Sequence, residues 1–193
     1  MKDYYENERF SLLNLLGGEY SDIRFVDCEF RNCTFSELKL NNVHFSDCAF
    51  ACCHAASLEF KNSSFTDTLL SDCRIYGINW GELMAAGAFS EPIREMSGCK
   101  IRGGIFEKMS LRKFKFKTNS LLECLFAECD LRESSFLNCD LDKTEFLKCD
   151  LRNANFRGAR GYAPDIFSCK MKGAAFSSPE ALSLLRALEI ELD

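Results

Sequence analysis

From residue 25 onward every fifth position is large and apolar: Phe25, Phe30, Phe35, Leu40, Phe45, Phe50, Phe60, Phe65, Leu70, Ile75 and Trp80, with Ala55 the one small member. Two residues upstream runs a second column of compact side chains: Ile23, Cys28, Cys33, Leu38, Val43, Cys48, Cys53, Leu58, Ser63, Thr68, Cys73 and Ile78. After a break the pattern resumes one residue out of phase, with Ile101, Phe106, Leu111, Phe116, Leu121, Phe126, Leu131, Phe136, Leu141, Phe146, Leu151 and Phe156. Its upstream column carries Cys99, Cys124, Cys129, Cys139, Cys149, Ala154 and Ala159. A helix repeats its apolar stripe every 3.6 residues and a flat strand alternates every two, so a period of five belongs to neither. If each pentad makes one short side and a corner, four pentads close a square coil, and coils stack at about 4.8 Å. The large central residue and the small one two before it then point inward, while the other three face solvent.

Side chains separated by four pentads should therefore lie above one another. Phe106, Phe126 and Phe146 are predicted to form one ladder, and Phe116, Phe136 and Phe156 the ladder on the opposite face, with Leu131, Leu141 and Leu151 among the residues filling the other two sides. Phe25, Phe45 and Phe65 play the same part in the first block, and Cys129 and Cys149 belong to the core with them. Eleven of the 12 cysteines occupy the small inward column, and Cys52 alone lies off it. This is a packing signature, since free Cys behaves as a compact, polarizable core residue. Cys33, Cys53 and Cys73 would stack, as would Cys129, Cys149 and Cys169, but parallel side chains one coil apart meet disulfide geometry poorly. No C-x-x-C pair is present for zinc or redox chemistry.

The segments Cys129-Asp130-Leu131-Arg132-Glu133, Cys139-Asp140-Leu141-Asp142-Lys143, Cys149-Asp150-Leu151-Arg152-Asn153 and Ala154-Asn155-Phe156-Arg157-Gly158 carry a resemblance to the pentapeptide-repeat family and its A(D/N)LXX consensus. The resemblance runs from about residue 23 to 176 with one interruption. It implies an all-β chain wound as a right-handed quadrilateral β-helix. Cys in place of Ala at many small positions departs from the consensus and thickens the core.

The expected organisation is an N-terminal cap segment (1–22), a first block of coils (23–80), an interruption (81–98), a second block (99–176) and a C-terminal capping or dimerisation helix (177–193). The step from Trp80 to Ile101 is one position longer than a coil, and the intervening stretch abandons the pentads, so the rod is read as broken there. A projecting loop, a bulged coil and a short helix all remain open for it. Ser178 and Pro179 suit the start of a helix whose apolar residues 181, 184, 185 and 188 share one face. The register from Phe156 to Phe176 survives an irregular stretch, with Ile166, Cys169, Met171 and Ala174 on inward positions.

Composition narrows the function. A formal net charge of −5 suits solubility and argues against a binder that must neutralise phosphates. With no apolar run of roughly 18 residues and no secretory pattern at the start, a soluble cytoplasmic chain with no membrane partner is expected. Catalysis finds no support. His44 and His54 fall on opposite outer faces, Asp130, Asp140 and Asp150 diverge, and neither a phosphate-binding glycine loop nor a G-x-S-x-G elbow occurs. No catalytic, cofactor or metal residue is assigned. The expected role is a non-catalytic protein-interaction scaffold of unassigned partner, with Leu83, Met84, Phe89 and Ile93 of the interruption and Leu184, Leu185 and Leu188 of the terminal helix as candidate contacts. Resemblance to the quinolone-resistance pentapeptide proteins, whose rods mimic duplex DNA, implies a type II topoisomerase (DNA gyrase) as the alternative partner. It also implies a homodimer through the C-terminal end. A DNA mimic needs a continuous acidic face, whereas Lys108, Arg112, Lys113, Lys115 and Lys117 cluster positive charge here. That cluster is too short, and its neighbours too acidic, for direct nucleic-acid binding.

Overall fold

The computed structural model describes residues 3–83, 91–116 and 118–188, with side chains as far as Leu185. It is a parallel β-solenoid. Tyr5 pairs with Phe25, Phe25 with Phe45 and Phe45 with Phe65 on one side. The next side stacks Phe10, Phe30, Phe50 and Leu70, and the third Leu15, Phe35, Ala55 and Ile75. Each step spans four pentads, one full coil. The amide before a pentad centre donates down to the coil below, as Arg24 N does to Asp3 O at 2.9 Å, and the amide two after a centre donates up, as Asn7 N does to Val26 O at 3.0 Å.

The corners have one backbone solution. Every non-glycine residue with positive φ, from Asn7 to Asn153, lies two positions after a pentad centre, with φ between 50° and 69°. L-residues enter this left-handed region at a cost of roughly 1 kcal/mol or more, least for Asn and Asp. Asp22, Asp27, Asn32, Asn42, Asp47, Asn62, Asp67 and Asp72 occupy it in the first block.

Two expectations about boundaries change. The stretch expected as a cap, 1–22, instead supplies the first coil: strands Tyr4–Glu6 and Arg9–Ser11 and the start of Asn14–Val26 pair in register with the coil above. Tyr5, Phe10, Leu15 and Tyr20 already keep the period of five. The rod is also unbroken at the interruption. Ile75 pairs with Ile101 and Asn79 with Ile105, so this one coil carries six positions more than the four pentads that separate Ala55 from Ile75. A 3-10 turn, Gly81–Leu83, sinks Leu83 into the core, and strand Ile93–Ser97 rejoins the sheet beside Thr68–Ser71. Residues 84–90, between these points, lie outside the described residues.

At the other end, strand Arg160–Pro164 pairs with Asp140–Leu147 after a register shift, which puts Pro164 rather than Ile166 beside Phe146. Tyr162 packs inward against Phe156 and Phe176. The terminal segment Glu180–Leu188 is a 3-10 helix, opened by Leu182 N donating to Pro179 O at 3.0 Å. Glu180 Oε1 accepts from Gly161 N at 2.8 Å and Leu184 packs on the core, which clamps the helix onto the last coil.

The core follows the predicted ladders. Phe106, Phe126 and Phe146 stack at 4.4 and 5.0 Å, and Phe116, Phe136 and Phe156 at 4.6 and 4.8 Å. Being on opposite sides, the two ladders meet edge to face across the axis, with Phe126 5.8 Å from Phe136 and Phe136 5.4 Å from Phe146. In the first block the rings occupy neighbouring sides. Phe25 stacks on Phe45 at 4.9 Å and Phe30 on Phe50 at 4.8 Å, with Phe25 and Phe30 5.4 Å apart. They crowd one corner and leave the diagonal to Leu40 and Ala55. Leu131, Leu141, Leu151, Cys129 and Cys149 are all buried.

Phe136 is fully buried between Phe116 and Phe156. Phe136→Ala is expected to destabilise the chain by about 3–5 kcal/mol, as core aromatic truncations do. Chemical denaturation checks this, and an unchanged midpoint would contradict the inward placement.

Candidate interaction surface

The inward small column is built from the backbone outward. At several positions its polar atom donates to the carbonyl of the pentad centre in the coil below: Cys48 Sγ to Phe25 O at 3.6 Å, Ser63 Oγ to Leu40 O at 2.9 Å, Asn119 Nδ2 to Met96 O at 3.0 Å, and Thr144 Oγ1 to Leu121 O at 2.7 Å. Ser63 Oγ also accepts the Val43 amide at 3.0 Å. Cysteine here therefore closes hydrogen bonds that the consensus Ala cannot make. All 12 cysteines are free thiols. Burial pushes the thiols of Cys48 and Cys139 up to about 12 and that of Cys124 up to about 11. A nucleophilic cysteine needs an accessible thiolate, and these have neither the charge nor the access.

Outward groups diverge, as the pentad phase predicts. His44 sits on one side, bonded through Nδ1 to Ser64 Oγ at 2.8 Å and through Nε2 to Asn42 Oδ1 at 2.9 Å, and partial burial lowers its pKa. His54 packs edge to face on Tyr76 on the opposite side. Asp130 and Asp150 bond the guanidinium and amide two residues on, which holds both carboxyls below the usual range, and Asp140 pairs with Arg160 at 3.3 Å. Among the described residues no group of three or more His, Cys, Asp or Glu is placed to hold a metal ion.

Charge is arranged in columns. Asp27, Asp47 and Asp67 stack on one corner of the first block, where Asp47 meets Arg94 Nη1 at 3.1 Å. In the second block the expected basic cluster is largely paired: Lys108 with Glu107 at 2.9 Å, and Arg112 and Lys113 with Glu133 at 2.6 and 3.6 Å. Lys115 is exposed, and Lys117 lies outside the described residues. Exposed pairs of this kind are worth about 0–1 kcal/mol, so they set surface charge more than stability.

The candidate contacts separate. Leu83 and Ile93 are 0% and 2% exposed, so they are core residues that fill the enlarged coil and offer nothing to a partner. Met84 and Phe89 lie outside the described residues, as does the side chain of Leu188. Leu184 packs on the core and Leu185 is half-buried, whereas Leu182 is exposed.

The family described as Pentapeptide repeat region matches residues 23–87, and that described as Pentapeptide repeats (8 copies) matches residues 120–158. The chain belongs to the pentapeptide-repeat family. A comparison with curated proteins found no match. Among solved structures, a trypsin-treated variant of QnrB1, a plasmid-mediated fluoroquinolone resistance protein, is 16% identical over 96% of this chain and 99% of its own, with a TM-score of 0.58. HetL, a pentapeptide-repeat protein involved in heterocyst differentiation regulation from Nostoc sp. strain PCC 7120, is 14% identical over 86% of this chain and 87% of its own, with a TM-score of 0.25. At these identities the first likeness shows a shared pentapeptide-repeat fold. No helix among the described residues is long and apolar enough to cross a membrane.

Cys52 is the exposed thiol of this repeat chain because it occupies a left-handed corner, with φ of 54°, instead of the inward column. Brief treatment of the folded protein with iodoacetamide is expected to add one label, on Cys52, followed slowly by the half-buried Cys169. Mass spectrometry after proteolysis checks this, and early labelling of Cys48 or Cys139 would contradict it.

Proposed function

We propose that this pentapeptide-repeat chain is a non-catalytic scaffold whose protein partner reads the outer face of the rod around the enlarged coil. One observation carries the reading. A single coil is lengthened by six positions, one of them a bulge between Ile93 and Glu95, while the pairing of Ile75 with Ile101 and of Tyr76 with Arg102 keeps the rod in register. Segments of that kind are where recognition concentrates. The interior supports it from the other side, since inward positions hold packed apolar groups and bonded thiols and leave no convergent polar set for chemistry. Affinity capture from source-cell extract should retain a specific protein on the full chain and lose it when 84–89 are deleted to restore a coil of ordinary length. Retention by both forms would remove this segment from the interface.

A type II topoisomerase is the second reading, and the stacked carboxylates of Asp27, Asp47 and Asp67 favour it. Parallel coils space them at about 4.8 Å on one edge of the rod, with Asp47 paired to Arg94 and Asp27 and Asp67 on either side of it. Against it, the second block pairs its acids with arginine and lysine. Purified protein that inhibits gyrase supercoiling, with Asp27→Asn plus Asp67→Asn weakening inhibition, supports this partner, and no inhibition or drug protection dismisses it. A C-terminal homodimer would use the outer side of Glu180–Leu188, where Leu182 is 51% exposed. Sedimentation of a chain ending at Phe176 tests it, an unchanged oligomeric state being the contrary result.

A further inference from the structure

The first block encloses an apolar cavity of about 100 Å³ that runs from Phe10 in the first coil to Trp80 in the fourth. Ala55 is its cause. On its side of the coil it stands between Phe35 and Ile75, the one small residue among pentad centres, and it faces the diagonal that the clustered rings leave open. Exposure of the inward side chains agrees independently. Leu40, Phe45 and Phe50 each retain 8% although they point inward, whereas Phe126, Phe136 and Leu141 of the second block retain 0%. We assign the mouth to the N-terminal end, where the lining residues Phe10, Leu13, Leu15 and Tyr20 are half-buried; Phe35, Ala55 and Leu58 farther along the axis are half-buried as well. Trp80 closes the far end, stacked on Phe106.

We propose that this axis is a binding site for the terminal few carbons of an unbranched alkyl chain, entering through the N-terminal mouth. The chemistry follows from the lining. A buried water needs two to four polar partners, and apolar cavities of about this size stay dry and take up small hydrocarbons. Shape narrows the class further. So small a volume spread over four coils is slender, which suits a linear chain and not a ring or a branched group. Nothing inside could hold a polar head, so the head remains at the mouth.

The test uses n-octanol on the full chain. Saturable binding by calorimetry is expected, with a rise in Tm of about 2–4 °C, and cyclohexanol should bind at least tenfold more weakly. Ala55→Leu projects a side chain into the cavity and should lower n-octanol affinity at least tenfold while melting no lower than the parent. If that variant fails to fold, xenon dissolved under pressure should shift the methyl resonances of Ala55 and Ile75 in the parent and leave those of Leu141 unchanged. No saturable n-octanol binding, equal affinity for cyclohexanol, undiminished binding by Ala55→Leu, or xenon shifts absent from Ala55 would each overturn the proposal. Two arms separate the source of the chain. Binding of n-octanol without sedimentation on phosphatidylcholine vesicles assigns a free ligand, and vesicle sedimentation abolished by Ala55→Leu assigns a membrane lipid. Vesicle sedimentation that Ala55→Leu leaves intact, in the absence of n-octanol binding, counts against the site.

Discussion

Hydrogen bonding between successive coils is the constraint on which the molecule depends. Once Phe25 must lie between Tyr5 and Phe45, the amides at fixed phases of the pentad are committed up or down the axis, and the corner residue is forced into the left-handed region. Side-chain identity then follows position by position. The centre must fill the axis, the residue two before it must be compact, and the corner must tolerate positive φ and water. Cysteine, serine, threonine and asparagine can do more than fit the compact position. Cys48, Ser63, Asn119 and Thr144 each donate to a carbonyl of the coil below, whereas Thr68 donates to Pro92 O of the coil above and Ser134 Oγ has no partner among the described residues. A neutral hydrogen bond of this kind contributes on the order of 1 kcal/mol net, and one from a thiol less.

The two blocks show how one backbone supports different interiors. Placing the rings on opposite sides lets Phe126, Phe136 and Phe146 interlock through the axis, and each full burial contributes roughly 2–3 kcal/mol with a further gain from edge-to-face contact. Placing them on neighbouring sides stacks them equally well along the axis but leaves the far diagonal to Leu40 and Ala55. Burial is thus most complete toward the C-terminal half, against which a short helix also packs. The N-terminal half carries the apolar cavity, the acidic corner and the enlarged coil, so these features gather where packing is least complete.

Much of this is legible in the residues. The inward columns, the facing ladders, the buried thiols and the exposed Cys52 all follow from a period of five, since that period decides which side chains can reach the axis. The enlarged coil does not. Counting from Trp80 to Ile101 compares two sides that are not neighbours across the ladder, and only backbone pairing reveals that Ile101 sits above Ile75. Leu83 and Ile93 look like loop contacts for the same reason, although each is needed inside to fill the longer coil. The first coil reads as a cap although Tyr5, Phe10, Leu15 and Tyr20 already keep the period, because a count of pentads that begins at Phe25 leaves them out. Ala55 stands out in its column, yet the void beside it depends on how rings on two other sides lean, which spacing does not reveal.

The stacking of coils is tested most directly by spin labels on the outer face. With Cys52→Ser as background, nitroxides at positions 128 and 148 replace Glu128 and Lys148, whose charged groups lie 3.9 Å apart one coil from each other. Their spectrum should show strong dipolar broadening, while labels at 128 and 138, on opposite sides of the same rod, should give the sum of the single-label spectra. Sharp lines for the first pair, or broadening for both, would contradict the coil.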